Sequence, residues 1–242
     1  MSTIIQNITD AFRDLGFNKV FFEEVVPLLL DGLLVTIYIS LIAIAIGLVF
    51  GFLTCLMGKA KNCILRGISA TYVWCIRGTP MIVQAFFIYF AMPQLIQIFN
   101  PAFRMEPTTA GLITLSLNAG AYMSEIFRGG IDAVNKGQTE AARSLGLSQT
   151  KTMLKVVLPQ AFKISIPSLV NQFIITVKDS SILSVIGMGE IVNKAKVYVG
   201  SSYKYFATYI LVAVFYLIVI SILMIVSKII EKKFSYDKKS NS

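Results

Sequence analysis

Histidine is absent from the 242-residue sequence. No serine or cysteine nucleophile can therefore rest on an imidazole base, and neither a histidine metal site nor a histidine proton relay is open to the chain. Cysteine is scarce. Cys55, Cys63 and Cys75 form no CxxC pair and show no secreted-type spacing, which excludes a disulfide framework and gives no sign of a metal site. A phosphate-binding loop is missing too. Gly58-Lys59 is followed by Ala60, and Leu53 stands where the first glycine of such a loop belongs. The chain is thus expected to bind no ATP or other cofactor of its own, and no nucleophile and base at a recognisable spacing mark it as an enzyme. Charge is thin, at 14% of residues.

Apolar residues are what the sequence has in abundance, at 55% of the total with a mean hydropathy of +0.71. A soluble domain of this length needs no such excess, so the composition predicts a polytopic membrane protein. The net charge of +9 then reads as basic loops on one face of a bilayer rather than as a nucleic-acid surface. The first 31 residues mix both signs (Asp10, Arg13, Asp14, Lys19, Glu23, Glu24, Asp31) and do not have the form of a signal peptide. Phe17 to Leu30 fits either an amphipathic helix lying at the interface or a packed leader helix.

The first span is Gly32 to Gly58, uncharged and long enough for about 30 Å of hydrocarbon. Thr36, Ser40, Ala43, Gly47, Gly51, Thr54 and Gly58 recur on one face, a small-residue stripe read as helix packing. The second segment, about 68 to 99, is interrupted by Arg77-Gly78-Thr79-Pro80. Proline cannot donate to the helix ladder there, so a structural kink is expected, with Pro93 and Asn100-Pro101 closing the span. In the third, beginning at Pro107, Gly111, Thr114, Asn118, Tyr122, Glu125 and Gly129 share a face suited to a bundle interior or a watery path. Ile164 to Val177 is a short span expected to end in a broken or re-entrant element at Lys178-Asp179-Ser180-Ser181, before a second apolar piece to Gly189. The last span, Tyr205 to Ser227, leads into a basic tail, and its Tyr205, Tyr209 and Tyr216 are read as packing or interface anchors.

Five spans place the amino terminus outside and the carboxyl terminus in the cytoplasm. Fourteen of the 22 basic residues then fall in cytoplasmic segments, as the bias of inner loops requires; Lys194, Lys196 and Lys204, in the last outer loop, run against it. The expected domains are an extracytoplasmic or interfacial segment at 1–31, a transmembrane domain at 32–231 and a basic cytoplasmic tail at 232–242. Within the second lies a polar loop at about 137–159. In that loop Gln138 to Leu145 are good helix formers, Gly146 is placed for a left-handed cap, and Ser148 can cap the next helix.

Glu140-Ala141-Ala142, with Gly146 four residues beyond and Leu158-Pro159 following, resembles the EAA loop of ABC importer permeases. Arg77 to Gln84, Ala121-Tyr122 to Gly130, and Lys178 to Ser181 resemble the polar amino acid subfamily. The resemblance covers most of the chain from Gly32 onward. It implies an all-α, type I permease of about five transmembrane helices in a bacterial plasma membrane. It also implies several partners: a second permease subunit, identical or homologous; cytoplasmic ATPase subunits that carry ATP and Mg; and an extracytoplasmic solute-binding protein. Glu140, Ala141, Ala142, Arg143 and Gly146 would couple to the ATPase: small residues permit close docking and the two charged ones supply polar contacts at the rim. Asn118, Tyr122, Glu125, Lys178, Asp179, Ser180 and Ser181 are the residues expected along the solute path. An ion pair of Glu125 with Arg77 or Arg128 is the other reading of that acid. Without the partners, the same intramembrane charges would suit a secondary amino acid transporter or a channel.

Overall fold

The computed structural model describes Gln6 and residues 17–239, with side chains to residue 233. Its described elements are all helical. The first, α1 (Lys19–Gly58), runs 40 residues without a break. That is about 60 Å at 1.5 Å per residue, twice the hydrocarbon thickness. The expected boundary at 31/32 therefore falls inside a helix. Of the two readings of Phe17 to Leu30, the packed leader is found. Phe21, Val25 and Leu29 are fully buried against Ile191, Ala195 and Ala207. Asp10, Arg13 and Asp14 lie outside the described residues, as do the side chains of Lys238 and Lys239 in the tail.

After α1 come α2 (Cys63–Gly78) and α3 (Met81–Phe86), which continues through a π turn at Phe87–Ala91 into α4 (Met92–Gln97). Thr79 and Pro80 are extended, and the two halves of this segment meet at 106°. The span does not close at Pro93; the helix passes through that proline to Gln97. A proline ring clashes with the carbonyl four residues back, here Tyr89, and the π turn widens the helix around that position. The same device recurs at Pro159, whose clashing partner Lys155 lies in a π turn at Met153–Val157.

Next is α5 (Pro107–Asp132), 26 residues and about 39 Å long. It occupies the centre, between α1 and the later helices, and fourteen of its residues are buried. The small-residue stripe of α1 is what admits it. A Cβ on Gly51 would stand 2.8 Å from the Gly120 carbonyl oxygen and 2.7 Å from Met123 Cβ, closer than any side chain allows. The loop helix α6 (Lys136–Ser144) and the single turn α7 (Gln149–Thr152) follow. Then α8 (Leu158–Asp179) tightens into a 3-10 stretch at Ser180–Ile186. The backbone at 178–181 is thus continuous, not broken as expected. Ser180 and Ser181 hydroxyls donate to the carbonyls three residues back, at 2.9 and 2.7 Å, and follow the tighter winding.

The region between the last two spans, expected as a loop, forms α9 (Ile191–Ser202). Glu190 caps it, accepting from the Val192 and Asn193 N–H groups at 2.9 and 2.6 Å. The final helix α10 (Tyr205–Lys239) crosses the expected tail boundary at 231/232 without a break. Among the described residues, Lys19–Gly58, Gln149–Ile186 and Tyr205–Lys233 are long and apolar enough to cross a bilayer, and the bent segment makes a fourth if its two halves are one span. The helix α5 has the length but not the apolarity, because its buried face is built of glycine, alanine, serine and threonine.

Candidate functional site

Two places in this bundle carry polar chemistry. The first is a cavity of about 480 Å³ between α5, α8 and the ends of α2 and α10, lined by Arg77, Tyr122, Glu125, Ser168, Asn171, Gln172 and Glu231 among others. Arg77 is the penultimate residue of α2, delivered to the cavity by the break at Thr79-Pro80. Its Nη1 lies 3.2 Å from Glu125 Oε2, and its guanidinium carbon sits 5.3 Å from the centre of the Tyr122 ring. Arg128, one turn further along α5, pairs with the other oxygen of Glu125. The acid therefore carries both of the ion pairs that the sequence offered it as alternatives. Gln84 locks the break itself, its amide donating to the carbonyls of Ile76 and Thr79 at 2.7 and 3.0 Å.

The expected path residues divide into groups. Tyr122 and Glu125 line the cavity. Asn118 is buried one turn away, outside its lining. Lys178, Asp179, Ser180 and Ser181 lie farther along the same seam. The helices α5 and α8 run antiparallel, with Ser165 Oγ donating to the Ile126 carbonyl at 3.3 Å and Gly111 beside Leu183. That register sets 178–181 beyond the level of Asn118, toward the Pro107 end of α5. Lys178 is exposed, Asp179 half-buried and Ser180 fully buried. Ser168, Asn171, Gln172 and Glu231 were not anticipated. A signal existed for three of them, as polar residues inside the stretch read as apolar, whereas Glu231 is brought in only by the packing of α10.

The second place is α6. Asn135 Oδ1 accepts from the Gly137 N–H at 2.8 Å and opens the helix. Gly146, at φ +84°, closes it. The Gly146 N–H donates to the Arg143 carbonyl and the Leu147 N–H to the Ala142 carbonyl, at 3.0 and 3.1 Å, the paired bonds of a Schellman motif. Ser148 then caps α7 through the Lys151 N–H. Glu140, Ala141, Arg143 and Gly146 are exposed, but Ala142 is 6% exposed and faces the protein's own interior. It packs inward and is no part of the outer face of the helix.

Residues 47–236 match a family described as binding-protein-dependent transport system inner membrane component. The glutamine transport system permease protein GlnP of Escherichia coli is 37% identical over 208 residues, covering 86% of this chain and 93% of that protein. A solved amino acid ABC transporter with histidines superposes with a TM-score of 0.83 at 33% identity, over 89% of this chain and 98% of that one. The MetNI methionine ABC transporter, in inward-facing conformations, superposes at 0.71 with 18% identity, over 86% of this chain and 97% of that one, a likeness of fold.

Proposed function

The chain belongs to the family of binding-protein-dependent transport system inner membrane components and is a permease subunit of an amino acid ABC importer in the bacterial inner membrane; from that premise we propose how its two polar sites divide the work. The helix α6 is the coupling element. It docks on a separate ATPase subunit that carries ATP and Mg, offering Glu140, Ala141, Arg143 and the Gly146 turn. Ala142 acts from behind, fixing α6 to the bundle so that its displacement moves the spans. A second permease subunit and an extracytoplasmic solute-binding protein complete the machine, which moves solute by alternating access, with the amino terminus outside and the carboxyl terminus in the cytoplasm.

The solute path runs along the α5–α8 seam, from the Lys178–Ser181 level past Asn118 to the cavity at Tyr122 and Glu125. Glu125 is paired with Arg77 and Arg128, and with Glu231 also on the cavity wall the two acids and two guanidiniums cancel, leaving no net charge to select a cation. Ser168, Asn171 and Gln172 offer hydrogen bonds without charge. This balance supports a neutral polar amino acid, and the amide of glutamine, named for the Escherichia coli relative, suits such a lining. The observation that carries the reading is the closure of α6 at both ends by Asn135 and Gly146. The test is a cysteine at position 141, crosslinked in inverted membrane vesicles to an ATPase co-expressed from the same system, with uptake followed in proteoliposomes. Crosslinking and ATP-dependent glutamine uptake are expected. Uptake by the chain without ATPase, driven by an ion gradient, would refute the coupling role and support a secondary transporter.

A further inference from the structure

The face of α8 toward the cavity of about 480 Å³ holds a polar side chain that the protein itself leaves unanswered. Gln172 is 4% exposed and lies on the cavity wall. Its backbone carbonyl accepts from the Thr176 hydroxyl at 2.9 Å. Its side-chain amide makes no hydrogen bond among the described residues, yet neither amide atom is sealed off. The hydroxyls of Ser40, Ser116 and Thr208 differ, being unpaired but closed to any ligand. Buried polar groups in native proteins are nearly always paired, so an unpaired amide that opens onto a cavity points to an absent partner. The antiparallel register of α5 and α8 sets Gln172 level with Tyr122, about one turn, or about 5 Å, outward from Glu125. Ser168 and Asn171 flank it on the same wall. Arg77 pairs with Glu125 one turn inward, and Glu231 joins it on the cavity lining. Among the described residues Glu231 has no ion pair and accepts only from the Ser227 hydroxyl, at 3.1 Å.

We propose that Gln172 reads the side chain of the transported amino acid and selects a carboxamide over a carboxylate within the membrane subunit itself. A primary amide carries donors on its nitrogen and an acceptor on its oxygen. Two such amides meet head to head through two hydrogen bonds, so a glutamine side chain satisfies both ends of Gln172. An ionised glutamate side chain offers acceptors only. One of its oxygens takes the Gln172 N–H, while the other is set against the Gln172 oxygen with no proton between them. A cationic side chain fails in reverse, since it brings only donors to the Gln172 nitrogen. One turn inward, the zwitterionic end common to all amino acids finds a group of each sign: its carboxylate meets the Arg77 guanidinium and its ammonium meets Glu231. The distance between the two levels is close to the reach of an extended glutamine side chain. This role rests on the solute path along the α5–α8 seam and adds to it the group that the path recognises.

The experiment measures binding of radiolabelled glutamine to the detergent-purified permease–ATPase complex, with unlabelled glutamate as competitor. The solute-binding protein is left out, so any preference is the membrane subunit's own. The wild type is expected to bind glutamine saturably and to prefer it to glutamate by roughly tenfold or more. Gln172→Met keeps the length of the side chain without its amide. It is expected to bind glutamine roughly tenfold more weakly, the worth of two neutral hydrogen bonds, with glutamate little changed, so that the preference narrows. A purely structural role would weaken both solutes alike and leave their ratio intact. Glu231→Gln acts on the shared end and is expected to weaken both alike; wild-type affinity there would overturn the orientation. An unchanged ratio in Gln172→Met, or a wild type that binds neither solute, would overturn the assignment. Uptake in proteoliposomes with the solute-binding protein separates the two levels of failure. ATP-dependent uptake beside an unchanged ratio removes Gln172 alone, whereas uptake without the ATPase removes the reading beneath it. Should Gln172→Met not assemble, Gln172→Asn, whose amide is drawn back by one methylene, is expected to narrow the preference in the same direction.

Discussion

Arg77 and Glu125 stand 3.2 Å apart, joining the last turn of α2 to the second half of α5 at the edge of the cavity. Arg77 is the penultimate residue of α2, and the segment that follows turns away from it by 106°. Replacing Glu125 by Gln leaves two guanidinium groups, of Arg77 and Arg128, facing one neutral amide. Uptake in proteoliposomes is expected to fall roughly tenfold, while co-purification with the ATPase is retained. Asp179→Asn, farther along α8, is expected to slow uptake as well. Unchanged kinetics in both variants would remove these acids from the path.

Gly146 sits at φ +84° with open space around its Cα. A side chain there meets no neighbour but must adopt the left-handed conformation, at about 1–2 kcal/mol. Gly146→Leu is therefore expected to leave the bundle folded, with a near-normal unfolding temperature, and to abolish solute-stimulated ATP hydrolysis by distorting the turn. Gly146→Asn, which tolerates that conformation better, should restore part of it. Full stimulation in the leucine variant would show that the turn takes no part in coupling.

Gly51 predicts the opposite pattern. Its neighbours are the Gly120 carbonyl and the Met123 Cβ, both on α5 and neither able to swing aside. Gly51→Leu is expected to push α1 from α5 and destabilise the chain by about 1–3 kcal/mol or more, seen as earlier thermal unfolding in detergent and reduced membrane yield. A variant with wild-type stability would mean that the two helices are not in contact.

Much of this was legible in the chain. The stripe from Thr36 to Gly58 could be read because a helix repeats every 3.6 residues, and all of its members up to Thr54 are buried. The loop helix and its glycine cap could be read because capping is local chemistry. The inward direction of Ala142, 6% exposed, was not legible, since the way a residue faces depends on what the loop rests upon. The helix α9 was missed although Ile191, Ala195 and Val199 are spaced one turn apart after an acidic cap; three lysines nearby made the stretch look like a loop. Glu231 was out of reach, because only the fold brings residue 231 to residue 77.

Glu190 offers a test by pH. Burial raises its carboxyl from 4.5 to about 7, against the lowering effect of the Val192 and Asn193 N–H groups. Between those values the folded chain holds a proton that the unfolded chain has released. Stability is therefore full below about pH 4.5, falls as pH rises toward 7, and is level above it. The unfolding temperature of the complex is expected to be lower at pH 8 than at pH 5, and Glu190→Gln should shrink that difference. An unaltered slope in the variant would assign it to other groups.

A nine-residue helix is too short to persist in water by itself, since starting the first turn is the expensive step. Because Asn135 and Gly146 satisfy its loose ends from within the same chain, α6 does not depend on a visitor for its shape. Under the coupling role proposed for it, a partner would grip a helix that is already folded, and the tempo of each stroke would be left to that partner.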